Sequence, residues 1–155
     1  MKNLKTTILF CVVGLLVVSS CNSDDDNSSP DDKNNTTNTQ NQITTNVQDG
    51  TWFISKFIDS GKDETNNFTG YNFIFNTSGV INANNGTNNY NGTWSITDSN
   101  SNDDSKDDLD FNINFNLTNN FEDLNDDWDF VSQSSTKIEL IDVSGGNGGT
   151  DYLTF

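Results

Sequence analysis

The chain has no histidine and no arginine. Without histidine, its residues cannot supply a Ser-His-Asp triad, a Cys-His pair or a histidine-ligated metal site. All seven basic residues are lysines, so phosphate recognition by a guanidinium fork is excluded as well. Paired carboxylates remain, but they lie in asparagine- and serine-rich stretches with no spacing that sets two acids across a cleft. We therefore expect no enzyme activity and no cofactor.

Cysteine is also scarce, and Cys11 and Cys21 are the only two. Cys11 lies in an apolar run, residues 8–18, which follows two lysines and precedes two serines. The run is shorter than the roughly 20 residues that a membrane-spanning helix needs. The layout predicts a signal peptide over residues 1–20. Its removal would leave Cys21 alone, which excludes a disulfide or a thiolate metal cluster within the mature chain.

The residues at the predicted cleavage site resemble a bacterial lipobox. Val18-Ser19-Ser20-Cys21 has the branched apolar residue, the two small residues and the cysteine of that motif. The resemblance implies that Cys21 becomes the lipidated N-terminus, and two or more acyl chains hold a protein in a membrane where one slips off. An ordinary secretory cut beside an unmodified cysteine is the alternative.

An acidic stretch follows Cys21 and resembles the short serine-plus-acid signal that sends lipoproteins of Bacteroidetes-type bacteria to the outside of the outer membrane. A solvated acidic spacer is the alternative. The resemblance implies a protein anchored in the outer membrane by its lipid and facing the cell exterior. The signal residues would be Ser23, Asp24, Asp25 and Asp26.

Residues 21–42 are almost entirely serine, threonine, asparagine, aspartate and glutamine, and they include the only proline, Pro30. Such a composition buries too little apolar area to offset the entropy of ordering. We expect a disordered tether here and a single folded domain over residues 43–155. The mature chain shows no helical periodicity of useful length; only residues 119–126 could form one helical turn.

Positively charged residues are also scarce. The formal net charge is -16, and loss of Lys2 and Lys5 with the signal peptide would leave -18. Such a surface repels nucleic acid and anionic membrane faces. Partners should be neutral, cationic or reached through apolar contacts, and we expect a monomer.

Alternation of apolar and polar residues dominates the domain. The stretch "DLDFNINFNL" has strict period two, which predicts a strand with one buried and one exposed face. Eight short strands separated by glycine and asparagine turns predict an all-β antiparallel meander that closes into a small barrel. An open β-sandwich is the alternative. The predicted strands are residues 51–58, 71–75, 80–83, 90–97, 109–117, 128–132, 137–143 and 151–155.

The ordered set of segments "GTWFISKFIDSGKDET", "FTGYNFIFNTSGVI", "NGTWSI", "LNDDWDF" and "TKIELIDVSGGNGGTDYLTF" resembles the small lipocalin-like lipoproteins of Bacteroidetes over essentially the whole domain. Gly50-Thr51-Trp52 matches the Gly-x-Trp that opens the first strand in lipocalins, where the tryptophan closes the floor of the barrel. Gly92-Thr93-Trp94 repeats the tripeptide within this chain. The resemblance implies an eight-stranded barrel with a ligand pocket.

Seven aromatic residues fall on the inward side of the predicted strands. They either line a pocket for an apolar or amphipathic small molecule or fill the interior, because an eight-stranded barrel is just wide enough for either. A filled interior would make the protein a structural or protein-interaction module. The seven residues are Trp52, Tyr71, Phe73, Phe75, Trp94, Phe111 and Phe115.

Two acidic loops carry oxygen ligands of the kind that calcium prefers. Both lack the EF-hand glycine and the closing glutamate, so solvated loops are the alternative and a calcium-binding surface module is only a further possibility. The candidate ligands are Asp98, Asn100 and Asn102 in the first loop, and Asp123, Asn125 and Asp127 in the second.

Overall fold

A computed structural model describes residues 31–98, 109–143 and 149–155. The helices in these ranges are α1 (Asp31–Gln48) and two short 3-10 helices, η1 (Thr65–Phe68) and η2 (Glu122–Leu124). The strands are β1 (Lys56–Asp59), β2 (Lys62–Asp63), β3 (Asn72–Phe75), β4 (Val80–Asn84), β5 (Asn89–Asp98), β6 (Leu109–Asn114), β7 (Asp126–Gln133), β8 (Ile138–Asp142) and β9 (Asp151–Thr154). The all-β prediction is confirmed.

These strands form a single antiparallel sheet that curls around a buried face. Its strand order is β2-β1-β9-β8-β7-β6-β5-β4-β3, so the strands from β3 to β9 follow one another in space as they do in the chain. The described residues therefore form the predicted meander. They do not form the two packed sheets that a sandwich requires.

The predicted number of eight strands is wrong, because the described ranges contain nine. The additional strand is β2, which pairs with β1 across a tight turn at Ser60 and Gly61. Both turn residues have positive φ, 48° and 81°, as a two-residue turn of the I′ kind requires. Because β2 has only two residues, both charged and exposed, it has no apolar alternation that could reveal it.

Trp52 lies ahead of β1 and links the two sides of the curled sheet. Its backbone forms a bridge with Phe73 in β3, with N–H to carbonyl distances of 2.8 and 2.7 Å. Three residues later, the N–H of Ser55 donates to the carbonyl of Thr154 in β9. The predicted strand 51–58 therefore contacts β3 first and β9 second, and only its end is the regular strand β1.

Helix α1 differs from the expected disordered tether over residues 31–42. Ile43 and Val47 lie one helical turn apart and are both buried. The side-chain amide of Gln40 donates to the carbonyl of Ile96 at 2.7 Å, and that of Asn46 donates to the Gln133 side chain at 3.1 Å. Two apolar side chains and two amides thus attach a helix that is otherwise polar.

The buried face of the sheet and the helices enclose one hydrophobic cluster. In β6, for example, Leu109, Phe111 and Ile113 are buried and the residues between them are not. Helix α1 lies near the C-terminal ends of β5 and β7, while η1 and η2 contribute buried Phe68 and Leu124 near the opposite end. Both ends of the core are therefore covered by helical segments.

Candidate functional site

The seven inward aromatic residues predicted as a pocket or a core are all buried in the same hydrophobic cluster. Phe75 packs edge-on against Trp94 and contacts Phe111, with ring centroids 5.4 Å apart in both pairs. Phe73 and Phe75 each lie 5.5 Å from the ring of Phe155, near the chain end. Aromatic pairs at these separations are in direct contact. These rings therefore fill the space between their strands.

Phe121 fills the interior near η2. Its ring lies 5.0 Å from the ring of Tyr71, 5.0 Å from that of Phe115 and 4.9 Å from that of Tyr90. Phe68 packs edge-on against it from η1 at 5.4 Å. Phe121 is thus the residue through which the two 3-10 helices and the sheet meet. Its apolar character between polar neighbours is the sequence signal for this role.

The three tryptophan N–H groups are all used inside the fold. Trp52 donates to the carbonyl of Val47 at 2.8 Å, and Trp94 donates to that of Asn76 at 3.0 Å. Trp128 donates to the carbonyl of Leu124 at 3.1 Å. Buried indoles need such partners. These groups are therefore committed to backbone acceptors rather than left for a ligand.

A cavity of 140 Å³ lies beside the stacked rings of Tyr71 and Tyr90. The remaining lining is mostly asparagine: Asn67, Asn119 and Asn120, together with Phe121. A second cavity, of 340 Å³, lies beside Trp52 and the exposed Phe53, next to the turn between β7 and β8. Both cavities are lined by polar as well as aromatic groups, unlike the apolar pocket of the sequence expectation.

In the second calcium candidate, the side chain of Asn125 already has hydrogen-bond partners within the fold. The Asn125 side chain accepts a hydrogen bond from the N–H of Phe115 and donates one to the carbonyl of the same residue. Asn125 therefore takes the place of a strand partner, and β6 ends at Asn114 rather than at residue 117. Asp127 is exposed, and its N–H donates to the Asp126 carboxylate at 2.9 Å.

Within the described ranges, no three cysteine, aspartate or glutamate side chains are grouped closely enough to hold a metal ion. Asp98, at the end of β5, belongs to the first calcium candidate. Asn100 and Asn102 lie outside the described residues, so that loop stays a prediction.

Carboxylates gather where β7 begins and β8 ends. Burial is the largest cause of the rise in the pKa of Asp126 to about 6, and the charges of Asp142 and Asp127 add to it. Burial also raises the pKa of Asp123 in η2, and repulsion from Glu64 and Asp59 contributes. This end of the sheet therefore carries an excess of negative charge that the fold tolerates at a cost.

Seven residues on the exposed face of the sheet stand in one cross-strand row, which we call the outer row. Each is the direct Cα partner of the next, across β2, β1, β9, β8, β7, β6 and β5. Neighbouring strands lie about 4.8 Å apart, so the row is roughly 29 Å long. In order, its members are Asp63, Ile58, Tyr152, Ile141, Asp129, Asp110 and Thr97.

The centre of the outer row is apolar and its flanks are acidic. Ile58 and Ile141 are half-buried, and Tyr152 between them is 37% exposed. Val143 directly follows the end of β8, two residues after Ile141, and is 65% exposed. The ammonium of Lys56 lies 4.6 Å from the centroid of the Tyr152 ring. The row thus presents an aromatic and aliphatic surface between carboxylates.

The predicted lipidation residue Cys21 and the export-signal residues Ser23, Asp24, Asp25 and Asp26 lie outside the described residues. Among the residues that are described, no helix is both long and apolar enough to cross a membrane. Comparison with family models, with curated proteins and with solved structures gives no match for this chain.

Proposed function

We propose that the protein is a non-enzymatic binding module, displayed on the outside of the outer membrane by a lipid on Cys21, that contacts partners through its outer surface. The observation that carries this proposal is the interior, in which the predicted pocket residues pack against one another and against Phe121 and Phe155. A module whose interior is full presents only its outside to a ligand.

Packing distances favour this function over transport of an apolar small molecule inside the barrel. A cargo of drug size needs a pocket of about 300 Å³ or more with apolar walls. The 340 Å³ cavity beside Trp52 lies at the surface, where its other lining residues are exposed. To make such a space in the interior near η2, Phe121 would have to leave its contacts with Tyr71 and Phe115. Protein interiors are close-packed, so such a rearrangement would lose many van der Waals contacts at once.

A lipocalin-like barrel is the architecture that we propose for the domain. The meander order of β3 to β9 supports it. The position of Trp52 supports it as well, because this residue bridges β3 just before the chain joins β9 through Ser55. Gly50 precedes it with φ at 140°, a backbone conformation that favours glycine. The tripeptide Gly50-Thr51-Trp52 would then close the barrel at the end that α1 covers.

Helix α1 bears on how the module would be displayed. Nine residues, 22–30, separate Cys21 from the start of α1. Even fully extended, they reach no more than about 32 Å. Residues 31–42 add about 18 Å as part of α1, whereas an extended chain of the same length would add about 43 Å. The docked helix therefore keeps the domain close to the membrane that we propose as its support.

Native mass spectrometry of the full chain tests the proposal. The protein is purified from its own host in mild detergent, and the micelle is removed in the gas phase. We expect one species that starts at Cys21, carries the mass of its acyl chains and has no further adduct. A second, defined mass that is lost on denaturation would show a cargo in the interior and overturn the filled module. A mass that starts at Met1 without acyl chains would overturn the anchor.

The control is the same protein after denaturation in detergent. Covalent acyl chains survive this treatment, whereas a non-covalent cargo does not. Comparison of the two spectra therefore separates the anchor from the cargo.

A further inference from the structure

The outer row combines the two features that a protein-binding face needs. Interfaces have an apolar or aromatic centre that excludes water and a polar rim that sets specificity. Here the centre is Ile58, Tyr152 and Ile141, in direct register on three neighbouring strands. Asp63 flanks the centre on one side, and Asp129 follows it on the other.

The acidic flank sets two carboxylates side by side on neighbouring strands. Asp110 and Asp129 are direct cross-strand partners in β6 and β7. Cross-strand partners have their Cβ atoms about 5 Å apart. A positive charge brought by a partner could therefore contact both carboxylates at once.

Tyr152 already binds a cation within the chain. The Lys56 ammonium lies over its ring at a distance at which the ring quadrupole attracts a positive charge. Lys56 therefore covers part of the ring, and the exposed remainder of Tyr152 belongs to the apolar centre. Val143 and the flanking isoleucines supply aliphatic surface beside it.

We propose that the outer row binds a basic, amphipathic segment of another protein, with apolar side chains on Ile58, Tyr152 and Ile141 and lysine or arginine side chains on Asp129, Asp110 and Asp63. This inference rests on the proposed function and identifies the surface and the partner chemistry. A second copy of this chain is the wrong occupant, because each copy carries a formal net charge of -16.

A designed peptide probes this surface directly. It has about nine residues, because an extended residue spans ~3.3 Å and the row is roughly 29 Å long. Two lysines stand at each end of a valine- and leucine-containing centre, and a control peptide has glutamate in place of every lysine. Binding to the full chain in detergent micelles is followed by NMR of isoleucine δ1-methyl groups.

We expect the lysine peptide to shift the methyl signals of Ile58 and Ile141 saturably and to leave that of Ile74 unchanged. Ile74 is an internal reference because it is exposed on β3, away from the row. The glutamate peptide should shift none of the three. Equal shifts at Ile74, or equal binding of both peptides, would overturn the proposal. Self-association without peptide at low salt would identify a second copy as the occupant and also overturn it.

Matched variants test the acids and the centre separately. Asp110→Asn with Asp129→Asn should weaken the peptide about five-fold, as expected for two rim charges. This pair should not unfold the sheet, since both residues lie on its outer face and asparagine has nearly the size of aspartate. Tyr152→Ser should weaken binding about ten-fold, the effect of losing an aromatic anchor. Asp49→Asn, at an exposed carboxylate after α1, should leave affinity unchanged.

If Asp49→Asn weakened binding as much as the paired variant, attraction would be general rather than local, and the proposal would fail. The outcome is independent of the mass measurement. A clean mass with no peptide binding refutes this inference alone, whereas an interior cargo refutes the proposed function whatever the peptide does.

Discussion

Gly92 lies where β5 passes very close to β6. A Cβ atom at this position would collide with the carbonyl oxygen of Asn114 and lie 2.8 Å from the Phe115 ring and 3.0 Å from an Ile81 methyl. No side chain fits there, so the glycine of the repeated Gly-Thr-Trp tripeptide has a packing reason. Glycine in a strand often marks such a close approach.

Gly92→Ala should lower the free energy of unfolding by about 1–3 kcal/mol, because the strands must separate to admit the methyl group. Urea denaturation measures the change. Ser95→Ala, at an exposed position of the same strand, is the matched control and should stay within about 0.5 kcal/mol. Unchanged stability in Gly92→Ala would mean that β5 and β6 do not approach this closely.

The side chain of Asn125 makes the two hydrogen bonds to the Phe115 backbone that a neighbouring strand would otherwise make. Asn125→Ala leaves a backbone N–H and a carbonyl without their partner, and we expect a loss of about 1–3 kcal/mol in urea denaturation. Asn116→Ala, at a nearby exposed position, is the control and should have little effect.

Calcium-dependent melting distinguishes a structural role of Asn125 from a role as a calcium ligand. Because its oxygen is bound to the backbone, millimolar calcium should not change the melting temperature of the parent chain. A calcium-dependent rise in melting that Asn125→Ala abolishes would instead assign Asn125 as a ligand.

Asp126 gives a pH dependence with a defined sign. Its pKa rises from 3.8 to about 6 on folding, so the folded state holds the proton more tightly than the unfolded chain. Its contribution to stability therefore falls as pH increases from about 4 to about 6 and remains unfavourable above that range. Both neighbouring acids, Asp142 and Asp127, act in the same direction.

Asp126→Asn should be more stable than the parent chain at pH 7, by at most about 1 kcal/mol once solvent screening is allowed for. The difference should shrink at pH 4, where the parent carboxyl is protonated in the fold. Urea denaturation at the two pH values measures it, with Asp49→Asn as the control. An advantage that is larger at pH 4 than at pH 7 would contradict the sign.

At the scale of elements, the apolar attachment of α1 is small in the part whose side chains are described. Its only apolar side chains among the described positions 39–48 are Ile43 and Val47, and both are buried. The rest of that stretch is polar, so the helix has little intrinsic reason to form away from the core.

Ile43→Ala with Val47→Ala should release α1 from the sheet, because the pair removes its apolar anchor. Hydrogen exchange of the helix amides should then approach the rate of an unfolded peptide, while β6 and β7 keep their protection. Gln42→Ala, at an exposed position of the helix, is the control. Continued protection of α1 in the double variant would show that its hydrogen bonds, among them those of Gln40, Asn46 and the Val47 carbonyl, suffice.

The strands were the predictable part of the fold, because alternation depends only on local sequence. Leu109, Phe111 and Ile113 show it plainly, and all are buried. The ends of the strands were harder to predict from the sequence. For example, β6 ends where the Asn125 side chain, instead of a neighbouring strand, bonds the backbone of Phe115. Helix α1 was not predicted, because only two apolar residues, Ile43 and Val47, distinguish it from a polar linker.

The candidate binding residues also differ in whether they could be predicted from the sequence. Inward aromatics such as Phe73 and Phe111 could be identified from period two, and both are buried. The outer row could not, because it depends on the register between strands far apart in the chain. Ile58 and Tyr152 become neighbours only when β9 pairs with β1.

At the scale of the whole molecule, aromatic side chains are concentrated in the interior and negative charge on the exterior. Aromatic rings fill the interior, where Phe121, Phe75 and Phe155 connect the strands. Negative charge covers the exterior, with a formal net value of -16. Such an exterior keeps copies apart and attracts cationic partners. This division is the physical basis of the proposed binding module.

Xenon uptake tests most directly whether the interior is filled. Xenon enters dry apolar cavities, and the δ1-methyl signals of buried Ile81 and Ile113 would report its arrival. Phe121→Ala, which opens a cavity, serves as the positive control and should show saturable shifts. We predict no saturable shifts in the parent chain under the same xenon pressure. Saturable shifts at Ile81 and Ile113 in the parent chain would show a hollow interior and contradict the account.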